Sequence, residues 1–134
     1  MMVRFESFME QVIDRGEYRS PDEADRAARV VLALLGAHLI GRTRAQLAAS
    51  LPETFALILL NPLPAAQPLN AERFVRATAA WIEGATEATA LWDIGAVLSV
   101  VADIAGPDLM TQVLLQLPAD WPPLFGMPEP ADTA

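Results

Sequence analysis

The chain repeats apolar side chains at intervals of three and four residues over most of its length. In the first segment, Phe5, Phe8, Met9 and Val12 follow this spacing, which places them on one side of a helix. Later segments show the same spacing and are separated by glycine, proline and capping residues. The pattern therefore predicts a series of amphipathic helices.

Capping residues predict where several of these helices begin. Ser20 is followed by Pro21 and, three residues after the serine, by Glu23, which is typical of a capping box with a proline start. Asn70 and Thr86 occupy the same place before two later segments. We expect these three polar side chains to accept hydrogen bonds from the first turns of helices.

Further helix ends follow from other polar, proline and glycine residues. Thr43, paired with Gln46, is expected to cap a third helix, and Gly16 is expected to cap the end of the first. Three more helices are expected to begin at Pro52, Pro107 and Pro118.

An internal repeat relates the two parts of the chain. When the sequence is shifted by 66 residues without a gap, Phe8 aligns with Phe74 and Ser20 aligns with Thr86. Most aligned positions are caps or apolar residues, which a shared fold would require. We predict two similar halves, at about 3–60 and 70–125, joined by a proline-rich linker at 61–69.

Halves of this size bury little surface alone, so we expect them to share one core. The predicted fold is all-α: a helical bundle made of two similar halves of three to four helices each. It forms a single domain over residues 1–125. The low apolar content of residues 126–134 predicts a disordered tail.

The tandem halves carry a resemblance to a known family. The motif positions in the first half are Phe8, Val12, Arg15-Gly16, Ala24, Arg26-Ala27 and Leu51-Pro52. With them, the chain resembles, from about Phe5 to Phe125, a bacterial family catalogued as domain of unknown function 2267. The second half departs from the pattern, since "AWIEG" replaces the arginine-glycine end of the first helix. The resemblance implies an all-helical fold and no assigned activity.

The charge of the chain limits its partners. Seventeen acidic residues face nine arginines, and the net charge is −8. An acidic protein repels phosphate backbones, so we predict no nucleic-acid binding. The segment "TRAQLAASLPETF" is similar to the opening of a helix-turn-helix, but the helix after it is apolar and cannot read base edges. Residues 67–134 hold nine acids and two arginines, which favours a basic or apolar partner for that half.

The residues that usually carry catalysis are scarce. The chain has no cysteine and no lysine, and His38 is its only histidine. His38 follows an apolar helix and aligns with Ile104 in the second half, so we predict a packed side chain that donates to a free helix-end carbonyl. Glu6, Glu10 and Asp14 are spaced by four residues, and their carboxylates could line a cation site. A solvated helix face is the simpler interpretation. We predict no enzyme activity, no cofactor and no metal.

Two uncharged stretches bear on location. Residues 30–41 are too few to span a bilayer, which requires about 20 apolar residues. Residues 54–71 are interrupted by Pro62, Pro64 and Pro68. We therefore predict no membrane span and a cytoplasmic location.

The helices are more apolar than a chain of 134 residues needs for its own core. We predict a non-catalytic interaction module that self-associates through an apolar helix face, as a homo-oligomer, or binds another protein. The expected interface is Phe55, Leu57, Ile58, Leu59, Leu60 and Trp92. The alternative is a carrier or sensor that holds an apolar small molecule between the halves, lined by Leu57, Ile58, Trp92 and Leu98.

Overall fold

The computed structural model describes residues 4–61 and 68–126, and over these ranges the protein is all-α, as predicted. The helices are α1 (Phe5–Gly16), α2 (Pro21–Gly36), α3 (Gly41–Ser50), α4 (Glu53–Leu60), α5 (Ala71–Trp81) and α6 (Glu87–Leu115), and a 3₁₀ turn follows at Pro122–Phe125. Most of the predicted linker and all but the first residue of the predicted tail lie outside the described residues. That first residue, Gly126, ends the 3₁₀ turn with a φ of 79°.

The predicted N-caps of α2, α5 and α6 are confirmed. The side chains of Ser20, Asn70 and Thr86 each accept from the backbone N–H three residues later, at 3.3, 2.8 and 3.1 Å. The backbone N–H of Thr86 also donates to the Thr89 hydroxyl at 2.9 Å, which completes a capping box. Each cap supplies an acceptor to a helix-end donor that has no partner within the helix.

The predicted cap of α3 is wrong. α3 begins at Gly41, two residues before Thr43, and its N-cap residue is Ile40. The Ile40 N–H donates to the Gln116 side-chain oxygen at 2.9 Å. Among the described residues, the start of α3 therefore has no side-chain cap, and the residue before the helix is held by a side chain distant in sequence, which local spacing cannot reveal.

Two other predicted helix ends are also corrected. Glu17, with a φ of 53°, caps α1, whereas Gly16 is its last helical residue. The helix expected from Pro118 is only the 3₁₀ turn, which starts at Pro122. The consecutive Pro122 and Pro123 have no backbone N–H to donate, so an α-helix does not propagate there.

A break divides α6 into two segments. Gly106 has φ 82° and ψ 166°, and the second segment begins at Pro107 as predicted. Positive φ values of this kind favour glycine. By length and composition α6 could cross a membrane, but a buried core helix meets the same criterion. The prediction of no membrane span therefore stays a prediction.

The core is one apolar cluster with contributions from both parts of the chain. Its largest fully buried side chains include Phe8 and Phe55 from the first half and Phe74 and Trp121 from the second. α6 packs against α1, α2 and α3 as well as α5. α5 begins 66 positions after α1, and α6 begins 66 positions after α2. This spacing is compatible with the two-half interpretation.

Candidate functional site

The expected interface on α4 is only partly at the surface. Leu57 and Leu60 are exposed and Ile58 is half-buried, but Phe55 and Leu59 are fully buried. The prediction that Phe55 and Leu59 form an accessible surface is therefore wrong. They lie one helical turn apart on the inner face of α4, and the Phe55 ring packs on Phe8 at a centroid distance of 4.9 Å.

The other predicted interface residue, Trp92, lies on α6 and is 53% exposed. Its indole Nε1 donates to the carbonyl oxygen of Gly16, the last residue of α1, at 2.8 Å. The neighbouring Asp93 accepts from the Tyr18 hydroxyl at 2.6 Å. These two bonds join α6 to the end of α1 and hold the Trp92 ring in place while half of it remains exposed.

An open groove runs beside Trp92. We call it the α6 groove and define it by its lining residues, Arg15, Ala88, Leu91, Trp92, Gly95, Ala96 and Ser99. Its volume is about 500 Å³. Leu91 is 50% exposed, and a Cβ added at Gly95 would meet no atom within 4 Å. The groove therefore combines two large apolar side chains with a hollow that the missing Gly95 side chain leaves open.

Most of the α6 groove was missed in the sequence analysis. Its α6 residues recur at spacings of three and four, and this periodicity was available in the sequence. The opposite side of α6 is equally apolar and enters the core, as at Ile94 and Leu98. Because both sides of the helix are apolar, the sequence could not distinguish the exposed side from the buried one.

The predicted ligand-lining residues do not come together. Trp92 lines the α6 groove, but Leu98 is fully buried in the core and is not accessible to a ligand. Leu57 and Ile58 lie on α4, which packs against α2 and α3, and they do not line the groove. The structure therefore does not place these four residues around one pocket.

Four acidic side chains accompany two ion-paired arginines next to the α6 groove: Glu17, Glu72, Glu87 and Asp103. Arg15 forms an ion pair with Asp103, and Glu87 lies 3.5 Å from the Nε of Arg76. Glu17 is exposed and follows the glycine that holds the Trp92 indole. Both arginines are therefore already paired with acids, and the surroundings keep an excess of negative charge.

A second, polar cleft of about 380 Å³ lies between the α1–α2 and α5–α6 connections. Burial raises the pKa of the Tyr18 hydroxyl, and its hydrogen bond to Asp93 raises that pKa further. Burial also raises the pKa of the Asp93 carboxyl, and the Tyr18 hydrogen bond opposes this effect. The Tyr18 hydroxyl thus stays protonated and donates a hydrogen bond to Asp93, which joins the α1–α2 connection to α6.

His38 is a packed side chain, as predicted. Its Nδ1 lies 2.8 Å from the Leu34 carbonyl oxygen, and its Nε2 accepts from the Leu69 N–H at 2.9 Å. The neutral imidazole with the proton on Nδ1 satisfies both contacts. Burial lowers the pKa of His38, while the bond to Leu34 opposes this effect. Both ring nitrogens are engaged, so neither is available as a base or a ligand.

The described ranges, 4–61 and 68–126, contain no group of three or more histidine, aspartate or glutamate side chains placed to hold a metal ion. Glu6, Glu10 and Asp14 are exposed on α1. A solvated helix face accounts for their spacing.

Comparison with protein families identifies a match over nearly all of the described residues. A family model described as "Uncharacterized conserved protein (DUF2267)" matches residues 5–124. No curated protein matches the chain. The match covers all the described helices and almost all of the 3₁₀ turn, but its description assigns no activity.

Proposed function

The chain belongs to DUF2267, an uncharacterised conserved family. We propose, from the surface of this chain, that the protein is a non-catalytic interaction module that binds a protein through the α6 groove. The observation that carries this proposal is the Trp92 indole, which is half exposed and fixed by its bond to Gly16. An aromatic side chain that is already fixed loses little conformational entropy when a partner covers it. Tryptophan is also enriched among the residues that dominate binding energy.

The non-catalytic part of the proposal rests on the available chemistry. The chain has no cysteine or lysine to act as a nucleophile. Its one imidazole is engaged at both nitrogens. The polar cleft holds Tyr18 and Asp93, which bond to each other.

Self-association through an apolar helix face is the predicted form of binding. Trp92 and Leu91 expose about half of their side chains, and small residues form the rest of the α6 groove. The apolar contact area is on the order of a few hundred Å². Stable interfaces bury roughly 800 Å² on each partner. A dimer through this groove alone would therefore be weak, and a single partner segment fits the area better.

A second candidate is an apolar small molecule in the same groove. The volume of about 500 Å³ supports it, since ligand sites commonly measure roughly 300–1,000 Å³. The groove lies where α1 meets α6, so a ligand there would touch both halves, as the alternative prediction requires. A cytoplasmic location and the absence of nucleic-acid binding are further proposals, supported by the composition of the chain.

One substitution tests the groove for every occupant. Gly95→Leu fills the hollow, and the space around Gly95 lets the monomer accept the larger side chain. Leu115→Gln removes an exposed leucine from the far end of α6 and serves as the control. Sedimentation velocity measures self-association, and native mass spectrometry measures bound small molecules. We expect any association or adduct to be lost in Gly95→Leu and kept in Leu115→Gln. Association that both variants retain would contradict the proposal.

A further inference from the structure

The charge of the protein narrows the choice of partner for the α6 groove. Each copy carries a net charge of −8, so two copies repel each other and a cationic partner is attracted. Residues 67–134, which include α6, hold nine acids against only Arg73 and Arg76. Long-range electrostatics therefore favour a basic partner over a second copy.

The charges nearest to the groove point in the same direction. Three exposed carboxylates adjoin residues of the groove: Asp103 pairs with the lining residue Arg15, and Glu87 directly precedes the lining residue Ala88. Glu17 follows Gly16, whose carbonyl accepts from Trp92. Arg15, which lines the groove, is paired with Asp103, and Arg76 is paired with Glu72 and Glu87. These two arginines are outnumbered by the carboxylates of Glu17, Glu72, Glu87 and Asp103. Cationic side chains of a partner would meet carboxylates on this surface, while an acidic segment would meet repulsion.

The dimensions of the groove fit a helical segment. Its α6 lining runs from Ala88 to Ser99, which is about 16 Å along a helix axis. Small residues on this side of α6 let another helix approach closely, and Leu91 and Trp92 supply the large contacts. Helices bind such grooves through apolar side chains spaced three and four residues apart.

We propose that the α6 groove binds a basic amphipathic helix of another protein, with large apolar side chains on one face and lysine or arginine on its flanks. This inference rests on the proposed function of the groove. The apolar face covers Leu91 and Trp92 and enters the hollow at Gly95. The basic flanks lie over Glu17 and over the exposed ion pairs of Glu87 and Asp103, where acids outnumber the two paired arginines.

Two designed peptides test this inference. One is a peptide of about 14 residues, long enough to form a helix on binding, with leucine on one face and lysine on the other. The second carries glutamate in place of every lysine. Fluorescence anisotropy of the labelled peptides gives their affinities for the full chain, for Gly95→Leu and for the control Leu115→Gln. Circular dichroism checks that each variant is folded.

We expect the lysine peptide to bind at least about tenfold more tightly than the glutamate peptide, a difference of about 1.4 kcal/mol. Its affinity should fall as salt concentration rises, because salt screens exposed charges. Gly95→Leu should weaken this binding at least about tenfold, and Leu115→Gln should leave it unchanged.

The other outcomes separate this inference from the proposed function. If both peptides bind equally well and Gly95→Leu weakens both, the partner is not selected for basic residues, but the α6 groove is the binding site. A dimer that Gly95→Leu abolishes, with no peptide binding, would identify a second copy as the occupant and overturn the inference. Peptide binding that does not depend on Gly95, or no binding of any kind, would overturn both.

Discussion

Gly16 and Gly95 both lie inside helices, but their missing side chains serve different purposes. A Cβ at Gly16 would come within 2.1 Å of the Tyr18 ring, which its hydrogen bond to Asp93 holds in place. A Cβ at Gly95 would meet no atom within 4 Å. Gly16 is therefore needed for packing, whereas Gly95 leaves the hollow of the α6 groove.

These two glycines give a matched pair of stability predictions. We expect Gly16→Ala to lower the free energy of unfolding by about 1–3 kcal/mol, since the added methyl group displaces the Tyr18 ring. Gly95→Ala should raise it by roughly 0.5–1 kcal/mol, because alanine favours the helix. Urea denaturation measures both. Equal effects of the two substitutions would show that the packing around Tyr18 does not depend on Gly16.

His38 gives a prediction for the dependence of stability on pH. Its pKa is lowered in the folded state, and the unfolded value is about 6.5. At pH values between these two pKa values, the unfolded chain binds more protons than the folded protein does. The free energy of unfolding therefore falls as pH drops below about 6.5. Protonation also removes the acceptor for the Leu69 N–H.

Thermal unfolding between about pH 7.5 and 5.5 checks this prediction, with His38→Gln as the control. The glutamine does not titrate, so the difference between the two profiles isolates His38 from other groups such as Asp93. We expect the wild type to lose more stability than His38→Gln as pH falls. Parallel profiles would contradict the assignment of the buried neutral imidazole.

Residue-scale predictions from the sequence succeeded where the interaction is local. The caps at Ser20, Asn70 and Thr86 act over three residues, and His38 acts on a carbonyl four residues back. The bond from Leu69 to His38 joins residues 31 positions apart. Local spacing carries no information on a contact of that kind.

At the scale of the element, apolar composition without periodicity limited the predictions. α4 has apolar side chains on nearly all sides, so its sequence did not show that Phe55 and Leu59 face inward while Leu57 and Leu60 face solvent. The break of α6 was predictable, because a proline cannot continue the backbone hydrogen bonds of the preceding turn. The start of α3 was not, since the preceding residue Ile40 is held by Gln116 from the second half.

At the scale of the whole molecule, the shared core predicts cooperative behaviour. α6 packs against helices of both halves, and one apolar cluster includes residues of both. We expect a single unfolding transition in urea, with coincident curves from circular dichroism and tryptophan fluorescence. Fragments 1–66 and 67–134 should each fail to fold, because each would expose the core surface that the other covers. Two separate transitions, or a folded fragment, would contradict a shared core.

The most direct test of the central claim is to map the peptide-binding surface by nuclear magnetic resonance. Backbone amide shifts of the full chain would be recorded while the leucine–lysine peptide is added. We predict the largest changes between Ala88 and Ser99 and at Arg15, which line the α6 groove. Changes centred instead on Ile40 and Leu115, or on Leu57 and Leu60, would place binding on another exposed apolar surface and contradict the claim.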